Sequence, residues 1–198
     1  MKPIAKALVS ALAVALVSPL ALAERLARKL LGRDVWFTAH GELLSLLPGK
    51  LGYYLRNGYY RLTLQRCQMG CQLSFGTYFT HSEAELGTSV YMGTRCLVGT
   101  ATIEDEVLLA DHVQILSGSR QHLPSDPLSP VQQSTRFIRV RIGKGTWIGA
   151  GAIVMADVGE HCIVGAGSVV TKPVPDFSVA VGNPARVVRS NAPVPSQV

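Results

Sequence analysis

The sequence predicts an all-β core built as a parallel β-helix, preceded by an apolar N-terminal segment that forms helices. The first observation is a period of six residues in which an aliphatic residue usually precedes Gly, at Ile142-Gly143, Ile148-Gly149, Val158-Gly159 and Val164-Gly165, with one unit, between Val154 and Val158, two residues short. A period of six is neither the 3.6 of a helix nor the 2 of a strand, and stacked hexapeptide units are typical of β-helices. The second observation is an uncharged apolar run over residues 7–23, and the third is a charge imbalance confined to residues 1–66.

The N-terminal segment, residues 1–66, contains ten basic and three acidic residues, whereas residues 67–198 contain nine and ten. The net charge of +6 therefore belongs to an apolar segment. Basic residues beside apolar ones favour an anionic membrane surface as the partner, and we expect no nucleic acid.

Two interpretations of residues 7–23 remain open. The run resembles a secretory signal cleaved after Ala23, or it attaches the chain to a membrane. Four basic residues between Arg25 and Arg33 favour attachment, because cations that cluster beside an apolar segment tend to stay in the cytoplasm. We expect a protein associated with the cytoplasmic face of the inner membrane.

Residues 34–64 predict two short helices, a leucine-rich one that ends at Pro48-Gly49 and a second one that follows it. Six of the chain's thirteen aromatic residues lie in this stretch, together with Lys50, Arg56 and Arg61. Aromatic rings mixed with cations suit the headgroup level of a bilayer. The same helices suit a cap over the open end of the β-helix, and the two roles are compatible.

The β-helix is expected over residues 67–189. Each aliphatic residue points inward and stacks on its equivalent in the next coil about 4.8 Å away, and a smaller inward residue follows four positions later. This register also places Val98 and Thr102 inside. Residues 190–198 contain too few apolar groups to pack, and we expect a disordered tail.

The repeat stops at Leu116 and resumes near Val140, so residues 116–139 are expected to leave the prism as a protruding loop. Loops of this length inside a compact fold are more often functional than not. The loop contains His122, a residue suited to proton transfer.

Three stretches, IGKGTWIGAGAIV, VGAGSVVTKPVP and VAVGNPARVVR, resemble the hexapeptide-repeat acyltransferases, and in particular the galactoside, maltose and xenobiotic acetyltransferase branch. The resemblance implies a left-handed β-helix that assembles as a homotrimer, with active sites between neighbouring prisms. It also implies acetyl-CoA as co-substrate and no metal.

The resemblance also implies roles for individual residues. His122 matches the catalytic base, and the outward-facing His112 is its rival. Six residues match cofactor-binding positions: Trp147, Ala150, Ala166, Thr171, Lys172 and Arg186. Of these, the first three match the pocket for the pantetheine arm, and the last three match the residues that hold the nucleotide end.

The expected function is therefore acetyl-CoA-dependent O-acetyl transfer to a hydroxyl of a saccharide or a lipid-linked sugar, with His122 as general base. A non-catalytic trimeric scaffold tethered to the membrane is one alternative. A β-helical carbonic anhydrase is another, but it needs three histidines on zinc, and the spacing of the chain's histidines does not present that set.

Overall fold

The computed structural model describes residues 3–32, 34–118 and 137–190, which form three helices followed by a β-helix. The helices are α1 (Pro3–Leu31), α2 (Phe37–Ser45) and α3 (Gly49–Thr63). The strands are β1 (Arg66–Cys67), β2 (Gln72–Leu73), β3 (Tyr78–Phe79), β4 (Glu85–Leu86), β5 (Tyr91–Met92), β6 (Leu97–Val98), β7 (Ala101–Ile103), β8 (Leu108–Leu109), β9 (Gln114–Ile115), β10 (Val140–Ile142), β11 (Trp147–Ile148), β12 (Ile153–Val154), β13 (Ile163–Val164), β14 (Val169–Val170), β15 (Ser178–Gly182) and β16 (Ala185–Ser190). The predicted β-helix with an N-terminal helical segment is thereby confirmed.

Successive strands go in turn to three sheets, which form the sides of a triangular prism. Sheet A has the order β1-β4-β7-β10, and sheet C has the order β14-β12-β9-β6-β3. Sheet B has the order β16-β15-β13-β11-β8-β5-β2, in which β16 pairs antiparallel with β15. Because equivalent residues pair directly from coil to coil, inward and outward side chains both form columns along the prism. We name its edges A–B, B–C and C–A after the sheets that meet there.

The core is made of the inward columns predicted from the repeat. Sheet B contributes Leu73, Met92, Leu109, Ile148, Val164 and Ala180, and sheet C contributes Phe79, Val98, Ile115, Val154 and Val170, all at most 1% exposed. One register prediction is wrong: Ala101 is buried, whereas Thr102 is half-buried and faces outward. Because Ile103 points inward, strand alternation turns its neighbour Thr102 outward and brings Ala101 inside.

Four aspartates tie successive coils together at the edges. Each side chain accepts a backbone N–H from the coil before it: Asp105 from Thr88 and Asp111 from Thr94, both at 2.6 Å, and Asp157 from Arg141 and Asp176 from Glu160, both at 2.8 Å. These contacts satisfy backbone donors that the short strands leave unpaired at the turns.

The helices α2 and α3 cap the first coil of the β-helix. The guanidinium of Arg56, which is 1% exposed, donates to the carbonyls of Leu44 and Leu47 at the end of α2 and to Leu73 of β2, at 2.8–3.2 Å. The Tyr60 hydroxyl accepts the backbone N–H of Phe79 at 3.3 Å. A single buried cation thus joins α2, α3 and β2, which supports the capping role predicted for this segment.

The helix α1 lies along α3 and presents two opposite faces. Its buried face is made of small residues, Ala13, Val17, Ala21 and Ala27. Gly58 of α3 lets the two helices approach closely, since a Cβ at this position would lie 3.2 Å from the Val14 backbone nitrogen. The opposite face, which we call the leucine face, consists of side chains that are 55–72% exposed: Leu8, Leu12, Leu16, Leu22, Leu26 and Leu30. Within the described residues, α1 is the helix long and apolar enough to cross a membrane.

The end of α1 is fixed to the β-helix by charges. The carboxylate of Glu24 is fully buried and accepts the backbone N–H of Trp36 at 2.9 Å. Arg28 pairs with Asp34 at 2.7 Å, and Asp34 accepts both the backbone N–H and the hydroxyl of Ser82. The chain around the Ala23-Glu24 bond is therefore an integrated part of the fold.

The edge aspartates predict how stability depends on pH. The N–H groups of Thr88 and Thr94 stabilise the charged carboxylates, which lowers the pKa values of Asp105 and Asp111. A folded-state pKa below the unfolded value of about 3.9 means that this stabilisation is complete above about pH 4 and is lost as the pH falls through the folded-state pKa. Thermal unfolding of the double variant Asp105→Asn and Asp111→Asn should show a smaller loss of Tm between pH 6 and pH 3 than wild type. The exposed Glu83→Gln is the control, and an equal loss in the double variant would contradict the assignment.

Candidate active site

The outer face of sheet B carries an apolar column that the β-helix itself does not cover. Trp147 is 50% exposed and lies in register between Leu108 and Ile163 on the neighbouring strands. Leu108 is 40% exposed and Tyr91, the next residue of the column, is 38% exposed. An exposed aromatic and aliphatic column of this kind marks a binding surface.

The B–C edge next to Trp147 exposes bare backbone. Ala150 and Ala166 are exposed at equivalent turns of successive coils, and the N–H of Gly167 donates to the carbonyl of Ala150 at 2.8 Å. Gly151 and Gly167 follow them with φ values of 69° and 65°, and a Cβ on either would meet nothing within 4 Å. A ligand can therefore approach the main chain here more closely than it can at a turn with side chains.

The same edge carries His112, one coil away from Ala150. The N–H of Gly151 donates to the carbonyl of Asp111 at 2.9 Å, so Asp111-His112 stacks directly on Ala150-Gly151. His112 is exposed and takes the left-handed conformation, with φ of 60°, that Gly takes in the next two coils. The repeat register contains this equivalence, so the position of His112 on the edge of Ala150 and Ala166 could have been predicted, whereas the prediction was only that His112 faces outward.

The C–A edge holds a second group of predicted residues. Thr171 is half-buried and Lys172 is exposed at this edge, between β14 and the bridge from Val174 to sheet A. The chain ends sheet C at β9 and enters sheet A at β10 on the same edge, where the rings of Phe137 and His81 are 4.3 Å apart between centroids. His122 lies outside the described residues.

Arg186 lies at the far end of sheet B. It is exposed on β16, pairs in register with Val181, and donates from its guanidinium to the carbonyl of Ala185 at 2.9 Å. The structure thus brings Trp147, Ala150 and Ala166 together, and places Thr171 and Lys172 beyond sheet C, on the other edge.

The remaining histidines that the structure describes have structural contacts. A nitrogen of His81 is 2.8 Å from the Thr80 hydroxyl, and the ring of His161 stacks on Phe177 with 5.3 Å between centroids. Within residues 3–32, 34–118 and 137–190, no three His, Cys, Asp or Glu side chains are grouped so as to hold a metal ion.

Comparison with known proteins gives one family and several relatives. Residues 139–172 match the model of the bacterial transferase hexapeptide, six repeats. A probable acetyltransferase of Mycobacterium tuberculosis is 36% identical over 110 residues, which are 52% of this chain and 36% of that protein. The structure of a maltose O-acetyltransferase from Clostridium difficile 630 superposes with a TM-score of 0.69 and 25% identity, covering 79% of this chain and 87% of that one. A hexapeptide-repeat acetyltransferase from Vibrio cholerae O1 biovar eltor, solved with acetyl-CoA, gives a TM-score of 0.67 and 19% identity over 79% and 88% of the two chains.

The matched stretches span 28–36% of the length of the first three curated relatives, whereas the maltose O-acetyltransferase is covered over most of its chain. The residues that match the family model form coils of the three-sided parallel prism. The chain therefore has the left-handed β-helix fold, and its residues 139–172 carry the bacterial transferase hexapeptide repeat.

Proposed function

We propose that the protein transfers an acetyl group from acetyl-CoA directly to a saccharide hydroxyl. The observation that carries this proposal is the B–C edge, where Ala150, Ala166 and two open glycine turns expose backbone beside the half-exposed Trp147. A pantetheine arm needs such a surface, because its amides bind main-chain groups and its chain packs on an aromatic ring. The fold shared with a maltose O-acetyltransferase and with a protein solved with acetyl-CoA supports the same conclusion.

The chemistry requires one base and no covalent enzyme intermediate. His122 removes the proton of the sugar hydroxyl while that oxygen attacks the thioester carbonyl, and a backbone N–H stabilises the oxyanion. The carbon–sulfur bond then breaks, and the imidazolium returns its proton to the departing CoA thiolate. Thr171, Lys172 and Arg186 hold the nucleotide end, where cations suit phosphates.

In a homotrimer, the two edges that carry the predicted site residues come together from neighbouring copies. The cofactor corner of Trp147, Ala150 and Ala166 and the C–A edge with the loop, Thr171 and Lys172 lie on different sides of sheet C within one chain. When three prisms pack around a threefold axis, an edge of one copy faces a different edge of its neighbour. Each of the three sites then takes its cofactor corner from one copy and its catalytic loop from the next.

The leucine face of α1 supports attachment to the cytoplasmic side of the inner membrane. The opposite face of α1 packs on α3 from Val14 to Arg28, so only the leucine face is free for lipid, which favours a helix lying in the interface. The burial of Glu24 supports a retained α1 over a signal cleaved after Ala23. Cytosolic acetyl-CoA places the active site on the same side.

The two alternatives have less support. A non-catalytic scaffold leaves the exposed cofactor corner without a role, and calorimetry that finds no CoA binding would favour it. For the carbonic anhydrase, the described residues hold no group of three metal ligands.

His122→Ala should lower kcat for acetyl transfer to an acceptor sugar by about 10²- to 10⁴-fold, because the reaction loses its general base. The measurement is release of CoA thiol from acetyl-CoA with maltose and other hydroxylated sugars. His112→Ala, on the B–C edge, is the matched comparison and should retain most of kcat. Full activity in His122→Ala together with a large loss in His112→Ala would transfer the role of base to His112.

Two inactive variants should complement one another if each site is shared between copies. His122→Ala removes the base, and Ala166→Trp fills the cofactor corner, so each homotrimer is inactive. Co-expression in equal amounts should restore activity at about a quarter of the sites, because random mixing pairs an intact corner with an intact loop at that frequency. The same variants purified separately are the control, and no activity in the hybrids would place both halves in one chain.

Substitution of the leucine face should release the protein from membranes. Leu8→Glu with Leu26→Glu should weaken flotation with phosphatidylglycerol vesicles by about tenfold or more, because charged side chains are expelled from the apolar layer. Val188→Glu, equally exposed on β16, is the control and should float normally. A mature protein whose N-terminal residue is Glu24 would refute attachment through α1.

A further inference from the structure

A large groove lies between the helices and the first coils of the β-helix, with its nearest strand two coils from Trp147. One wall is α1 with Val9, Leu12 and Leu16, the other is the start of α3 with Leu51 and Tyr54, and the groove has a volume of about 980 Å³. This volume is at the upper end of the range for sites that bind small organic ligands. We call it the α1 groove.

The floor of the α1 groove belongs to the β-helix. It is made of Gln72, Ser74 and Phe75, which belong to β2 and the turn after it, and of Tyr91 on β5. Because the floor is fixed to the prism and the α1 wall is fixed through α3, the groove is a built feature of the fold. Its rim is apolar and open, since Leu12, Leu16 and Leu51 are 60–64% exposed.

The charges of the α1 groove all have one sign. Lys6 and Lys50 line it and are exposed, and none of the described residues that line it is acidic. The third cation, Arg56, is buried and already donates to backbone carbonyls, so it stabilises the fold. A hydrocarbon chain therefore finds an apolar channel, and an anionic group at its end finds two exposed ammonium groups, of which that of Lys50 lies 5.9 Å from the centre of the Tyr53 ring.

The leucine face gives such a ligand an entrance from the membrane. Leu12 and Leu16 belong both to the leucine face and to the rim of the groove. When α1 lies in the interface, the opening is at the depth of the lipid chains, and a chain can enter sideways without crossing water.

The floor of the groove is also continuous with the candidate active site. Tyr91 is paired in register with Leu108, and Leu108 with Trp147, so the same outward column of sheet B connects them. Two strand spacings separate Tyr91 from Trp147, a distance of about 10 Å. A sugar attached to a bound chain whose end lies beside Tyr91 can span that distance.

We propose that the α1 groove binds the hydrocarbon chain and phosphate of a lipid-phosphate carrier, whose sugar is the acceptor at Trp147. The inference deepens the proposed acetyl transfer, on which it rests for the role of the sugar, and it names the acceptor class as lipid-linked. Binding of the chain and phosphate itself requires no acetyl transfer.

The test measures binding of radiolabelled farnesyl phosphate to the full chain in phosphatidylcholine nanodiscs, with empty nanodiscs as background and no acetyl-CoA present. We expect saturable binding that unlabelled farnesyl phosphate displaces and that farnesol displaces at least tenfold less well. Inorganic phosphate should not displace it. Displacement by inorganic phosphate alone would show a simple anion site and overturn the proposal, and so would the absence of saturable binding.

Matched variants locate the site. Gln72→Trp fills the floor and Lys50→Glu reverses a charge at the groove, and each should weaken binding at least tenfold. The control for Gln72→Trp is Gln114→Trp, because Gln114 is the exposed first residue of β9 on sheet C, as Gln72 is of β2. The control for Lys50→Glu is Lys144→Glu on the A–B edge. Both controls should bind farnesyl phosphate as wild type does. Wild-type binding by both groove variants would overturn the proposal. Release of both variants from nanodiscs would also overturn it, because the groove would then be part of the membrane anchor.

Binding of acetyl-CoA, measured by calorimetry, and acetylation of a soluble sugar distinguish the two proposals. A protein that binds farnesyl phosphate in the groove but binds no acetyl-CoA retains the groove and refutes the acetyl transfer. A protein that acetylates soluble sugars but shows no saturable binding of farnesyl phosphate retains the acetyl transfer and refutes the groove.

Discussion

The stacking of inward apolar side chains on one another, from each coil to the next, is the constraint from which the other features follow. From β2 onward, each two-residue strand contributes one buried residue to a column, such as Leu109, Ile148 and Val164 in sheet B, and the column fixes the register of the coils. Burial of one such side chain stabilises the fold by about 1.5–3 kcal/mol. Because the register is fixed, outward residues and turn residues also align in columns, and ligand surfaces arise as stripes along the prism.

Because of these stripes, the residues that stabilise the fold differ from those that are available to a ligand. The buried columns provide the hydrophobic stabilisation. At the edges, the aspartates accept backbone N–H groups, and ion pairs such as Arg141 with Glu104 at 2.6 Å join neighbouring coils of sheet A. The outer face of sheet B and the B–C edge are left with exposed apolar and bare backbone positions that contribute little to the core. Trp147 and Ala166 can therefore serve a ligand without weakening the prism.

The N-terminal helices add further exposed surfaces to the β-helix. Arg56 and Tyr60 fix α3 to the first coil, α3 buries the small-residue face of α1, and the leucine face remains free. The resulting arrangement joins three surfaces in sequence: the exposed leucine face of α1, an apolar groove with cations, and the column that leads to Trp147. This order is consistent with an enzyme that takes its acceptor from a lipid surface and its acetyl group from solution.

The β-helix could be predicted from the sequence alone, because a period near six residues fits neither a helix nor a single long strand and is typical of stacked coils, and the same pattern indicated where the coils are interrupted. The positions of Trp147, Ala150 and Ala166 on neighbouring coils followed from the same local period. Three features became visible only in the folded chain: Ala101 and not Thr102 is buried, His112 stacks on the turn of Ala150, and the buried Glu24 accepts the backbone N–H of Trp36. These features depend on contacts between residues far apart in the chain, and in α1 on which of two apolar faces meets α3, which a local hydrophobic pattern does not encode.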